Sequence, residues 1–428
     1  MTPREPARLG RMALGAALLG AAGCSEPRFH IEPMSLRVPG QSADPAIAVL
    51  PGSGRLVLSW IGGDGRSWTL RVSGSDDRGL TWSVPVDVAG RGQGDELQPH
   101  GESSPRLVAS PGGRIALTWV ANVPVKGRRW PATRMRLARS MDRGASWSAP
   151  VTLNDDSTDA PVGHQFHGAA WQGDSALVVA WLDERDGPGR PGSEQAESGG
   201  EPDAAIYAAT SMDFGRTWSA NRRLWGAVCP CCRVTLARLA DGSVTAAWRR
   251  HFPGNIRDVV VAPVMPHAPV PARVHADDWV YPGCPHNGPA AAPADDGSLH
   301  VVWYSGKAGA SGVFYRRVGA HGEVNAGPLV TLLGGSQLPG AHPAVAGLPD
   351  GGALVGYDVD GHGRRVIRLA RVSSTGRLLA TTTVPGSTGG GYPQLAPLDS
   401  GAVALAYSVT AGEVRRVLAA VVRLPTAR

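Results

Sequence analysis

The sequence predicts an all-β fold, a β-propeller of four-stranded blades, with seven blades favoured over six. Three observations carry this. A short apolar strand closed by an aromatic residue recurs seven times, ending at Trp60, Trp119, Trp181, Trp248, Trp303, Tyr357 and Tyr407. The steps are 59, 62, 67, 55, 54 and 50 residues, the length of a four-strand unit. A second motif, Ser-x-Asp-x-Gly-x-Ser/Thr-Trp, follows three of these strands. Finally, 57 Gly and 36 Pro among 428 residues interrupt the chain too often for a helical bundle. The 42% hydrophobic content supplies a core and excludes a disordered chain, and no apolar run reaches the length of a membrane span.

The N-terminal residues 1–23 read as an export signal. Met1 to Arg11 carries three Arg, Met12 to Ala22 is apolar, and small residues lead to Gly23-Cys24. Leu19-Gly-Ala-Ala-Gly-Cys24 resembles a bacterial lipobox, with Ala21 where Leu is commoner. That resemblance implies cleavage before Cys24 and acylation of its thiol and new amine, palmitate among the acyl chains. Two or three chains hold a protein firmly to a bilayer. Ser25 fits sorting to an outer membrane or cell surface. An ordinary signal peptide with an incidental Cys is the alternative. Residues 24–42 form a segment ahead of the repeats, and residues 43–428 form the propeller. Ile31–Val38 has no unit of its own and is expected to supply the outer strand of the last unit, since an open ring leaves two sheet edges.

Within each unit the order is inner strand A, strand B with the aromatic, strand C, a turn, and outer strand D. The turns Ser75–Trp82, Ser140–Trp147 and Ser211–Trp218 resemble the Asp box, or BNR repeat, of the sialidase superfamily. Asp77, Asp142 and Asp213 are expected to accept backbone N–H groups across a hairpin, Gly to take positive φ, and Trp to cover the turn. They are braces, not acids or bases. Eight of the 13 Trp sit at the two repeated positions, so most of them are core. Sialidases have six blades, whereas seven aromatic strands are present here.

The resemblance implies a glycoside hydrolase if the chain is an enzyme. A sialidase needs three Arg around the substrate carboxylate, a Tyr nucleophile paired with a Glu, and an Asp acid/base. Ala43 stands where the first Arg belongs. Tyr392, in Gly-Gly-Tyr-Pro-Gln-Leu, resembles the region of the nucleophile, but it opens a strand A and also reads as a pore-lining packing residue. Arg106, Arg233 and Arg257 share no spacing that marks a clamp.

Four further Cys gather in two loops leading into strand A: Cys229, Cys231 and Cys232 in one, Cys284 in the next. Cys229 and Cys284 are 55 residues apart, as are Trp248 and Trp303. In this alignment Cys231 falls opposite His286 and, one unit back, opposite His164, with His167 nearby. Two chemistries fit. Thiolates and imidazoles of adjacent blades suit a soft metal, Cu or Zn. An even Cys count in an exported chain equally suits disulfides. Arg249, Arg257 and Asp258 flank a loop on the same face, and Arg257 with Asp258 also reads as a surface pair. The acidic insertion Asp183–Asp203 opens on that face too.

The expected function is an exported, lipid-anchored propeller that binds a glycan, a protein partner or a soft metal at this cluster. An exo-sialidase-like hydrolase and a disulfide-stapled scaffold are the alternatives. Two Lys, 40 Arg and a net charge of +6 form no basic stripe, so a nucleic-acid partner is not expected.

Overall fold

The computed structural model describes residues 29–126, 131–156, 162–186, 204–319, 327–335, 340–360 and 363–425, together with Met1 and Glu323. Residues 2–28, with Cys24 and the expected export signal, lie outside the described residues, as do residues 187–203 of the insertion. Seven antiparallel four-stranded sheets are arranged as blades about an axis. Strands A to D run as follows. Blade one is Gln41–Val49, Leu56–Gly63, Trp68–Ser75 and Val86–Ala89; blade two is Arg106–Ala109, Ile115–Val123, Ala132–Ser140 and Val151–Thr152. Blade three is His164–Gln172, Ala176–Asp183, Ala205–Ser211 and Arg222–Trp225; blade four is Thr235–Arg238, Val244–Phe252, Ile256–Pro263 and Ala272–Arg273. Blade five is Ala290–Pro293, Leu299–Ser305, Ser311–Val318 and Val330–Gly335; blade six is Pro343–Gly347, Ala353–Asp360, Arg365–Val372 and Leu378–Thr383.

Blade seven takes strands A to C from Gly390–Asp399, Ala402–Ala411 and Val414–Arg423, and strand D from His30–Pro33. His30 pairs with Arg423 and Pro33 with Ala420. The N-terminal strand ends at Pro33, short of the Ile31–Val38 span read from the sequence. Beyond it, Ser35 N–H turns away to donate to the Gly79 carbonyl at 2.8 Å. The closure is therefore both a strand pairing and a latch onto a turn of blade one.

The repeated aromatics explain how the ring is held. Each of the seven is buried, and each packs against the blade before it. Trp60 lies among Ala396, Ala404 and Val421 of blade seven, and Trp119 lies with Ile61, Leu70 and Val72 of blade one. Trp303 faces Val259 and Val261 of blade four. Burying an indole removes some 150–250 Å² from water, so every seam between blades gains its main apolar anchor from one repeated position. Gly and Pro keep the connections short.

The three repeated turns share one set of bonds. In the first, Asp77 Oδ1 accepts from the Thr81 N–H and from Ser75 Oγ–H, both at 2.8 Å. Trp82 Nε1–H donates to the Gly79 carbonyl at 3.2 Å. Asp142 and Asp213 repeat the carboxylate bonds with Ser146 and Thr217, whereas the Trp147 and Trp218 indole N–H groups have no partner among the described residues. Gly79, Gly144 and Gly215 have φ of 87°, 88° and 78°. The residues before them, Arg78, Arg143 and Phe214, are also left-handed, at 60–62°, so each turn carries two successive left-handed residues. These hydrogen bonds hold the Asp77 and Asp213 carboxyls down at about 2.

Candidate functional site

The loops from strand D to the next strand A, and those from B to C, share the face opposite these turns. There the axis opens into a cavity of about 590 Å³. Deeper along the axis, the A strands of all seven blades enclose a second space of about 240 Å³.

The loops leading into strand A supply most of the wall of the upper cavity. A non-glycine residue with a left-handed backbone occurs in one of these loops, His286 at φ 49°, and in the first residues of three A strands, Asp44 at 53°, Phe166 at 57° and Tyr392 at 55°. In Asp44, Phe166 and Tyr392 the kink coincides with a shift in A–B register, between Ala43 and Ala46, Gln165 and Gly168, and Gly391 and Gln394. Such bulges re-aim a side chain, and left-handed backbone at a non-glycine residue is costly enough to cluster at functional sites. Blades one, three, five and seven thus turn one residue each toward the axis.

His342 is the best-organised group in the cavity. Its Nδ1 lies 2.8 Å from Asp358 Oδ2, its N–H donates to Asp358 Oδ1 at 2.9 Å, and its ring stacks on Tyr392 with centroids 4.0 Å apart. Asp358 also bonds to Arg365 and accepts the Tyr392 N–H at 3.0 Å. Burial raises the Asp358 carboxyl, but His342 and Arg365 outweigh it and leave the group below its ordinary range. An Nδ1–H directed at this carboxylate leaves the Nε2 lone pair free to accept a proton. The Tyr392 phenol is pushed up by burial and by the charges of Glu102 and Asp358. It therefore stays protonated at neutral pH, as a proton donor and not an activated nucleophile.

Glu102 lies beneath the cavity lining, next to Gly101. Fully buried, it accepts from Arg233 Nη1 at 2.7 Å and from the Gly288 N–H at 3.2 Å, and its Oε1 is 4.0 Å from His342 Nε2. It ties together blades two, four, five and six. On the opposite wall Asp44 accepts the His100 N–H, and burial raises its carboxyl to about 6. His100 and His286 face each other at 5.9 Å across Phe166. His286 and Arg415 are open to solvent at the rim.

The Cys of blades four and five converge beside this cavity. Cys229, Cys231 and Cys232 are buried, and their Sγ atoms lie within 4.8 Å of one another. Cys229 Sγ is 3.0 Å from Cys232 Sγ and 4.0 Å from Cys231 Sγ. The more exposed Cys284 thiol is bonded to Cys231. All four are free thiols.

The His residues aligned with them do not join. His164 Nε2 faces Asp156 at 3.1 Å and Asp183 at 3.5 Å, and those carboxylates outweigh burial and raise its imidazole. His286 turns into the cavity instead. Equal position along the chain did not give equal direction, because the bulge after Gln165 and the left-handed His286 rotate the two rings apart. His167 is buried beside Arg106 and pushed down to about 3, mainly by desolvation, so it is a neutral core residue.

Other expectations are also corrected. Arg249 flanks the B–C loop from strand B of blade four as expected, but it is 1% exposed and does not present its side chain to an open ligand face. Arg257 and Asp258 do not pair; Asp258 is buried against Arg273. Arg106 and Arg233 border the inner space but Arg257 does not, so the three make no common clamp. Asp183 is a buried residue of strand B, not part of the insertion. Ala43 and Tyr392 do border the upper cavity. Asp44, His100, Glu102, His342, Asp358 and Arg365 were not singled out from sequence. For Asp44, His100, Glu102 and His342 the available signal was a titratable residue within a few positions of the start of a strand A; Asp358 and Arg365, on strands B and C, carried no such signal.

No family model matches the chain and no curated protein matches it. Among solved structures, a protein of unknown function from Dyadobacter fermentans superposes with a TM-score of 0.53 at 15% identity, over 93% of this chain and 100% of that one. A PL25 ulvan lyase, described as bound to -[GlcA(1-4)Rha3S]-, gives 0.56 at 10% identity over 90% and 95%. A Hadza microbial sialidase gives 0.47 at 15% over 85% and 76%. At these identities the likeness is one of fold, a β-propeller, and nothing beyond it.

Proposed function

We propose that this chain is an exported, lipid-anchored propeller that acts on an acidic glycan at the upper cavity. One observation carries the reading: a His342–Asp358 pair set against the protonated Tyr392 phenol, in an open cavity of about 590 Å³ with His286 and Arg415 at its rim. A base, an acid, the Arg415 cation and the His286 imidazole within one cavity suit β-elimination from a uronate. His286 and Arg415 hold the carboxylate and lower the barrier to removing the neighbouring C–H proton. His342 Nε2 takes that proton. The C–H electrons form a C=C bond, the glycosidic C–O bond breaks, and Tyr392 O–H protonates the departing oxygen. No water is consumed.

The lyase that shares the fold is described with a glucuronate-containing polysaccharide, the same chemical class. A sialidase-type reaction finds less support, because Ala43 replaces an Arg and Tyr392 keeps its proton. An anchor at Cys24 would hold the cavity close to polymers outside the cell.

The test is ultraviolet absorbance from unsaturated uronate on incubation with a panel of uronate-containing polysaccharides. His342→Ala and Tyr392→Phe are each expected to lower kcat by ~10²–10⁴ without loss of fold. Absence of any cleavage or retardation across the panel in affinity electrophoresis overturns the reading.

A further inference from the structure

The thiols of Cys229, Cys231, Cys232 and Cys284 are unused by that chemistry, and the groups around them are unusual. Arg249 is buried directly beside them. Its guanidinium donates to the carbonyls of Asn287 at 3.0 Å, Arg257 and Tyr304 at 2.8 Å, and it lies 4.8 Å over the Trp279 ring. Arg257, 7% exposed, donates from Nε to the Tyr281 carbonyl at 3.2 Å, and its Nη1 is buried with no partner. Among the described residues neither Arg has a carboxylate within ion-pair distance. The groups they adjoin are the thiols: Arg249, whose carbonyl accepts the Cys229 N–H at 2.9 Å, lies beside Cys229 and Cys232, and Arg257 lies beside Cys284. The Asn287 N–H donates to Cys232 as well.

A buried cation without a counter-charge is expensive. Two neutral disulfides would leave both Arg in that condition. Four thiolates around one divalent ion carry a net charge of −2, and two Arg balance it. Three thiolates on one monovalent ion give the same total. The spacing of three of them agrees: ligands about 2.3 Å from a tetrahedral ion are separated by about 3.8 Å, between the 3.0 and 4.0 Å seen from Cys229 to Cys232 and Cys231, while Cys284 stands outside that close group and is hydrogen-bonded to Cys231.

We propose that these four Cys form a thiolate site for a d¹⁰ thiophilic ion, Zn(II) or Cu(I), with Arg249 and Arg257 as its counter-charges. The site joins the loop between blades three and four to the loop between blades four and five. The second loop carries His286 into the cavity and presents the Gly288 N–H to Glu102. Its ion therefore fixes one wall of the cavity, whether or not the glycan reading holds.

Native mass spectrometry of the full chain, purified from its exported compartment without added metal or reductant, is expected to show all four thiols reduced and one bound ion. Titration of the metal-free protein with Zn(II), and separately with Cu(I) under anaerobic conditions, identifies which ion binds more tightly. Co(II) substitution is expected to give intense thiolate-to-metal absorption. Cys284→Ser, an exposed position, is expected to weaken binding while the chain stays folded. Arg257→Gln is expected to weaken it at least about tenfold, and Arg257→Lys to restore it. A chain four hydrogen atoms lighter than the reduced mass, which after reduction binds neither Zn(II) nor Cu(I), overturns the proposal. So does metal affinity unchanged in Cys284→Ser and Arg257→Gln.

Discussion

The two faces of the ring contrast in their use of sequence. On one, three hairpins repeat the same eight-residue turn, and each solves the same local problem with the same Asp, Gly and Trp. On the other, each loop leading into strand A differs: Asp44, His100, Phe166, Cys231, His286, His342 and Tyr392 hold related positions with unrelated chemistry. Repetition marks what every blade needs in order to pack. Departure from it marks what only this molecule needs. The turn carboxylates lie at the surface and are satisfied by their own hairpins, whereas Asp44, Glu102 and Asp358 are buried and bonded across blades.

Truncation in the repeated layer gives the strongest test of this contrast. Trp60 is fully buried at the seam where blade one meets blade seven, and its indole N–H has no partner. Trp60→Ala therefore removes apolar contact without stranding an acceptor. The expected loss is ~3–5 kcal/mol in chemical denaturation, with the folded fraction keeping its full activity. A change in KM or kcat of the folded fraction would show that the repeated layer also shapes the cavity.

A second test predicts the opposite sign. The Asp44 carboxyl stands at about 6 against an ordinary 3.8, because burial disfavours its charged form. The protonated form is thus the one the fold prefers. Its contribution to stability is complete below about pH 4 and lost as pH rises through 6. Asp44→Asn is expected to match the parent chain near pH 4 and to exceed it in stability above pH 6, by at most about 3 kcal/mol. Thermal melts across that range check it. Equal melting temperatures at pH 7 would mean that His100 N–H and Arg415 fully offset the burial.

The same contrast decides how far the molecule was legible. Trp and Tyr at the end of strand B recur because each must fill an equivalent seam, and that necessity wrote the blade count into the sequence. The closing strand was legible because a ring cannot be left open. The Cys group was legible as a cluster because two adjacent loops share one spacing. His164 was misassigned because alignment reports chain position and not side-chain direction, and a bulge intervenes. His342 and Asp358 escaped notice for a related reason. They are 16 residues apart, one just before strand A and the other near the end of strand B, and only the register that pairs Pro343 with Tyr357 brings the ring against the carboxylate.

The smallest expected effect probes the repeated turn itself. Asp142 accepts the Ser146 N–H at 2.9 Å, Ser146 Oγ–H at 2.5 Å and Ser140 Oγ–H at 2.8 Å. These bonds stand at the surface, where water competes for each donor, so their sum is far less than three isolated hydrogen bonds. Asp142→Ala is expected to cost about 1 kcal/mol, read as a small shift of the denaturation midpoint at unchanged slope. Its activity on any glycan is expected to equal that of the parent. If Asp142→Ala instead abolished activity while the chain stayed folded, the turn carboxylates would belong to the chemistry, and the division of the two faces into scaffold and site would be wrong.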